Sequence, residues 1–152
     1  MELGGKTALV TGSTDGVGRL VARKLGQAGA RVLVHGRDVE RGARVVADIK
    51  TSGGAADFLV ADLSALAEVR SLAEAAQATV DRLDILINNA GIGTAGPHLT
   101  SSEGFELRFA VNYLAGFLLT LLLLPLIKNS APARIVNVSS AGRSRSTSAT
   151  SC

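Results

Sequence analysis

Thr7-Ala8-Leu9-Val10-Thr11-Gly12-Ser13-Thr14-Asp15-Gly16-Val17-Gly18 decides the fold. A short, largely apolar run ends in a turn carrying three glycines. An apolar stripe at helical spacing follows directly: Val17, Leu20, Val21, Leu25 and Ala28. Strand, glycine turn and helix in immediate succession open a βαβ unit. Glycines there allow positive φ and close backbone approach to a pyrophosphate, and the helix N-terminus adds unpaired N–H groups and partial positive charge. The pattern points to a nucleotide phosphate site over residues 12–18. The alternative is a plain tight turn that packs helix on strand, and the βαβ context favours the phosphate reading.

Working outward, apolar runs recur at Arg31–Val34, Phe58–Val60, Leu83–Ile87 and Ile135–Val138. They lack polar alternation, as strands covered on both faces do. Helical stripes fill the gaps. Val39, Ala43, Val46 and Ile49 mark one, with Asp38 as N-cap. Leu66, Val69, Ala73, Ala76 and Val80 mark another, opened by Ser64. Thr100-Ser101-Ser102-Glu103 reads as a capping box that starts a long helix to about Lys128, kinked near Pro125. The order predicts an α/β fold: a doubly wound, Rossmann-like parallel sheet of about five strands with right-handed crossovers. It occupies one domain over 1–142. Residues 143–152, Arg/Ser/Thr-rich and without apolar periodicity, read as a disordered tail.

Composition closes several other classes. The chain has 152 residues, 47% apolar and 19% charged, enough for one cored domain. A single cysteine, Cys152, excludes a disulfide framework, and with His35 and His98 it makes no metal set. Net charge is +3, and two of the excess positive charges, Arg143 and Arg145, lie in the last ten residues, so no basic face for nucleic acid is expected. Residues 109–127 carry no charge and are long enough to span a bilayer. Their place between two strands, with Asn112, Thr120 and Pro125 inside, favours a buried crossover helix over a membrane span. No signal segment or cysteine pair is seen, which points to the cytoplasm.

The turn reads T-G-x-x-x-G-x-G rather than G-x-G-x-x-G. Asp62-Leu63 follows the third run, Asn88-Asn89-Ala90-Gly91 the fourth, and Val111-Asn112-Tyr113 lies on the long helix. Asn137-Val138-Ser139-Ser140 ends the fifth run. In this order and spacing the chain resembles the short-chain dehydrogenase/reductase family, and most closely its retinol-dehydrogenase-like members. The resemblance implies that Gly12, Gly16 and Gly18 cradle the pyrophosphate, with Ser13, Asp15 and Val17 of the same turn in the cofactor site. It implies that Asp62, beside Leu63, contacts the adenine ring and that Asn89, Ala90 and Gly91 line the adenosine side. It implies catalytic roles for Asn112, holding a proton-relay water, and Ser140, bonding the substrate carbonyl. Each has a plainer alternative: Asp62 as a turn cap, an Asn88 or Asn89 that bonds backbone, Asn112 satisfying a broken helix turn, Ser140 as a strand end.

After the second strand the chain reads His35-Gly36-Arg37. An acid there would bind a ribose 2′-OH, and an arginine suits a 2′-phosphate, so NADP is expected over NAD. The family's Tyr-x-x-x-Lys pair is not found: the sole tyrosine is Tyr113, followed four residues on by Phe117. The expectation is therefore a C-terminally truncated NADP-dependent oxidoreductase. A small-molecule carbonyl or alcohol would be its substrate once the missing pair is supplied. The exposed sheet edge and helix would invite oligomerisation or aggregation. The rival readings are a non-catalytic NADP(H)-binding module and a membrane or interaction protein built on 109–127.

Overall fold

The computed structural model describes residues 2–93 and 95–139; Ser140 and the 143–152 tail lie outside the described residues. Its elements are β1 (Thr7–Val10), α1 (Gly16–Gln27), β2 (Arg31–Gly36), α2 (Val39–Thr51), β3 (Ala55–Val60), α3 (Leu66–Thr79) and β4 (Ile85–Asn88). A short turn α4 (Leu107–Phe109), a π-helical turn (Ala110–Leu114), α5 (Ala115–Asn129) and β5 (Arg134–Asn137) follow.

All strands are parallel, in the order β3-β2-β1-β4-β5. Adjacent residues on a strand point to opposite faces, and each face takes its own helices. Leu9, Leu33 and Leu86 face one way, onto Val69, Leu72, Ala73 and Ala76 of α3 and Leu119, Leu123 and Ile127 of α5. Val10, Val32, Val34 and Ile87 face the other way, onto Ala22 of α1 and Val45 and Ile49 of α2. This is the doubly wound sheet expected from the sequence. The strand order reverses between β1 and β4, which opens a crevice at their carboxyl ends.

Several local expectations are corrected. Thr100–Glu103 does not start a helix. Thr100 bridges Glu106 in an antiparallel loop, and Glu106 caps α4 by accepting from Phe109 N at 2.8 Å. Glu103 instead accepts from Leu66 N, at 2.8 Å, so it serves the first turn of α3 from another part of the chain. Ser64 does not cap α3; the N-cap is Ala65, which offers no side-chain bond.

The long helix is not buried all round. Leu107–Asn129 is long and apolar enough to cross a membrane, with mean hydropathy 2.1 over its most apolar window. Ala115, Leu119, Leu123 and Ile127 pack on the sheet, while Phe109, Tyr113, Phe117 and Leu121 form a stripe that is about half exposed. Their rings stack in sequence, at centroid distances of 5.4 Å (Phe109 to Tyr113) and 6.2 Å (Tyr113 to Phe117).

Candidate functional site

The crevice is a cleft of about 540 Å³, within the size range of small-molecule sites. Its floor is the glycine turn between β1 and α1. Gly12 holds φ +62°, and a Cβ there would stand 2.8 Å from Ala90 Cα, so only glycine lets the turn lie against the loop after β4. Gly18 is tighter still: its Cβ would meet Gly12 O at 2.2 Å and Asn89 Nδ2 at 2.4 Å. Gly16 differs. It has φ +52° but no atom within 4 Å of a Cβ, so nothing in the protein fills the space above it. That open space lies at the N-terminus of α1, whose first-turn N–H groups have no helical carbonyl to bond. Asp15 caps the helix by accepting from Gly16 N at 2.7 Å.

A hydrogen-bond network joins the turn to the loop after β4. Thr11 Oγ1 accepts from both Asn89 N and Ala90 N, each at 3.0 Å. Asn89 Nδ2 donates to Thr11 O at 3.0 Å and to Gly12 O at 3.2 Å. Asn88 Nδ2 donates to Thr120 Oγ1 and to Asn137 Oδ1, tying β4 to α5 and β5. Both asparagines thus take up the backbone and inter-element bonding that is the plainer reading of their motif.

The opposite wall is Gly36, Arg37, Arg41, Asp62, Leu63 and Ser64. Asp62 Oδ1 accepts from Ser64 N at 2.9 Å, a turn cap, while Oδ2 lies 3.9 Å from Arg37 Nη1. Burial favours the neutral acid here, but the hydrogen bonds from Ser64 and the Arg37 charge outweigh it and hold the carboxyl below its ordinary range. Glu68 accepts from Asp62 N. Arg41 Nη1 donates to Asp15 Oδ2 at 3.2 Å, and Arg41 Nε lies 3.5 Å from Asp38 Oδ2.

Of the sequence-derived cofactor residues, Gly12, Asp15, Gly16, Val17, Gly18, Arg37, Asp62, Leu63, Asn89, Ala90 and Gly91 all line this one cleft. Ser13 does not. It is fully buried, with Oγ donating to Val10 O at 2.7 Å and its N–H donating to His35 O at 2.8 Å, so its polar groups are committed to the protein. Asn112 lies in the π-helical turn and clasps Ile92. Its Oδ1 accepts from Ile92 N at 2.8 Å and its Nδ2 donates to Ile92 O at 3.0 Å. The side chain therefore shapes the cleft wall through Ile92, in the loop after β4, and both of these bonds go there and not to a broken turn of its own helix. Single-turn π insertions of this kind concentrate at functional sites. Ser140 falls outside the described residues.

A family model described as short chain dehydrogenase matches residues 6–151. The chain belongs to the short-chain dehydrogenase family. It is 45% identical over 142 residues to retinol dehydrogenase 11 of Homo sapiens, covering 92% of this chain and 44% of that protein. It is 45% identical over 146 residues to dehydrogenase/reductase SDR family member 13 of Bos taurus, covering 95% of this chain and 38% of that one. The chain thus spans under half the length of these curated relatives. Among solved structures, a metagenomic short-chain oxidoreductase in complex with NADP matches with TM-score 0.82 and 37% identity, over 92% of this chain and 64% of that one. The Pseudomonas aeruginosa RhlG/NADP active-site complex matches with TM-score 0.79 and 37% identity, over 93% and 59%. The likeness to retinol dehydrogenases read from the long-helix motif is thereby shown.

Three members of the site were not singled out from sequence. Thr11 offered only its place before Gly12. Arg41 lies in the first turn of α2, just after the Asp38 cap, and lines the same wall as Arg37. His35 was read only as a lone histidine, yet it is 2% exposed with both ring nitrogens bonded.

Proposed function

We propose that this chain forms the cofactor-binding part of an NADP-dependent oxidoreductase that moves a hydride between nicotinamide and a small-molecule carbonyl or alcohol. The open space over Gly16, at the N-terminus of α1 and the switch point of the sheet, carries the reading. It is a cradle that a side chain would fill and that a pyrophosphate fits. The bound dinucleotide would supply the hydride chemistry. The protein's share is to hold it: Gly12, Gly16 and Gly18 keep the phosphate floor bare, while Asp62 and Ala90 bound the adenosine side.

Two features favour NADP over NAD. Gly36 stands at the end of β2, where a ribose-binding carboxylate would be placed, and its Cβ would meet Thr14 Cγ2 at 2.4 Å, so the position takes no side chain without displacing Thr14. Arg37 follows with its guanidinium at the cleft wall, suited to a 2′-phosphate. The solved relatives named above hold NADP in the same fold.

Turnover needs a group that gives or takes a proton at the substrate oxygen. Tyr113 does not fit that role. It is stacked between Phe109 and Phe117 on the outer stripe of the helix and is absent from the cleft lining. We therefore assign the cleft residues cofactor binding and give none of the described residues the proton-donor role. The exposed stripe and β5 are the surfaces through which copies would associate. To test the cofactor reading, NADPH and NADH affinities are compared in Arg37→Ala and in the unaltered chain. Loss of one charge-assisted phosphate contact should narrow the NADPH preference by about tenfold. An unchanged ratio would remove Arg37 from the site.

A further inference from the structure

His35 uses every polar group it has on the walls of the cleft. Its backbone N–H donates to Ser13 Oγ at 2.9 Å, and its C=O accepts from Ser13 N at 2.8 Å. Gly12 N donates to its Nδ1 at 3.0 Å. Nδ1 is therefore the bare nitrogen, and Nε2 carries the proton it donates to Ala61 O at 3.2 Å. The ring spans from the phosphate turn to the last residue before Asp62. The half-buried N–H of Gly12 without this acceptor would have to turn elsewhere, and the neighbouring Ser13 Oγ is already engaged, donating to Val10 O and accepting from His35 N.

We propose that the neutral imidazole of His35 is a positioning residue that fixes the glycine turn in its phosphate-ready shape and couples it to the Asp62 wall. The proposal rests on the cofactor reading above for its effect on binding. The backbone bonds to Ser13 would survive any substitution, so the side-chain bonds alone are in question. The Gly12 bond is the one that matters for the turn, because it sets the amide orientation of the residue that Gly18 and Ala90 crowd.

Two amides separate the bonds. The oxygen of Asn at position 35 can reach where Nδ1 lies and accept from Gly12. The nitrogen of Gln can reach where Nε2 lies and donate to Ala61, leaving Gly12 unmet. Each variant keeps one bond of two, so a general loss of packing affects them alike. NADPH affinity is measured by calorimetry on the full chain, with thermal unfolding of each free protein as control. We expect His35→Asn to stay within a few-fold of the parent, and His35→Gln and His35→Ala to weaken binding about tenfold, the scale of one orphaned buried donor.

A protonated ring cannot accept from Gly12. Burial holds the His35 pKa down to about 4, against the opposing pull of the Ala61 carbonyl and the Asp62 charge, so the strut holds at neutral pH. The charged groups around it are Asp62, past Ala61, and Arg37, which closes on Asp62. NADPH affinity of the parent should fall as pH approaches 4, and His35→Asn should lack the part of that fall due to the ring.

Hydrogen exchange at the Gly12 amide gives a readout that needs no cofactor: slow in the parent and in Asn, fast in Gln and Ala. If the parent itself binds no NADPH, the cofactor reading fails, and Gly12 exchange alone decides the strut. Equal NADPH affinity in the Asn and Gln variants, or Gly12 exchange indifferent to residue 35, would overturn the proposal.

Discussion

β2 and β5 are both short parallel strands rich in branched aliphatic residues, and their surroundings differ completely. In Arg31–Gly36 every residue after Arg31 is buried. In Arg134–Asn137 every residue is exposed, including Ile135 and Val136. β2 lies between β1 and β3 under α1 and α2, whereas among the described residues β5 pairs only with β4. Apolar sequence thus identifies a strand but not its burial, which depends on what packs over it. The polar network follows the same division. Thr11, His35 and Asn89 close tightly around the β1 turn, while the far flank offers an exposed aromatic stripe and an open edge.

The strongest test of this contrast is on the closed side. Gly18→Ala places a methyl 2.2 Å from Gly12 O, backbone that cannot yield cheaply, and should cost about 3 kcal/mol in urea unfolding. Gly16→Ala meets no atom and bears only its positive φ, about 1 kcal/mol. Equal costs would mean that the turn is not close-packed.

Acid probes the same network. His35 is held neutral in the fold, with its pKa lowered from about 6.5 to about 4, whereas the unfolded chain takes up a proton near the ordinary value. Unfolding therefore gains protons as pH falls through that window. Stability should drop progressively from about pH 6.5 and level off below about 4, by up to ~3 kcal/mol. Chemical denaturation across this range, on the parent and His35→Asn, isolates the term; an identical pH slope in both would refute it.

At the other end of the sheet Asp84, 2% exposed, accepts from Arg82, Lys6 and the Thr7 backbone N–H, and so joins β1 to β4. The Arg82 hydrogen bonds hold its carboxyl far below the usual range, so its contribution persists until strongly acid pH. Asp84→Ala should destabilise by about 2 kcal/mol, because it orphans a buried N–H as well as the cations. The open flank should respond least. Phe117→Ser, at a half-exposed site, should change stability by less than about 0.5 kcal/mol and, on the proposed association through this stripe, shift sedimentation toward the monomer. Unchanged association would take the stripe out of the contact.

The sheet, its strand content and the location of the cleft were legible because βαβ alternation leaves few topologies. Helix starts were legible only in part: Asp38 caps α2 as its place in the sequence suggests, accepting from Arg41 N at 3.0 Å. Thr100–Glu103 carries the letters of a capping box, but tertiary contact draws Glu103 to α3 and leaves Glu106 to cap α4. Glycine positions announced the cleft, since close backbone approach leaves a mark in sequence. The Thr11 and His35 bonds left none, because a lone threonine or histidine looks the same whether solvated or buried with both nitrogens bonded. The exposed face of α5 was hidden for the reverse reason. Phe117 and Leu121 have the same apolar character as Leu119 and Leu123, and only the packing distinguishes them.

Calorimetric titration of the unaltered chain with NADPH, and in parallel with NADH, tests the central claim most directly. The account predicts saturable one-to-one binding that favours NADPH and disappears in a folded Gly16→Val variant, whose Cβ enters the phosphate space with no protein atom within 4 Å. Folded, soluble protein that binds neither nucleotide, or a Gly16→Val variant that binds both as well as the parent, would contradict it.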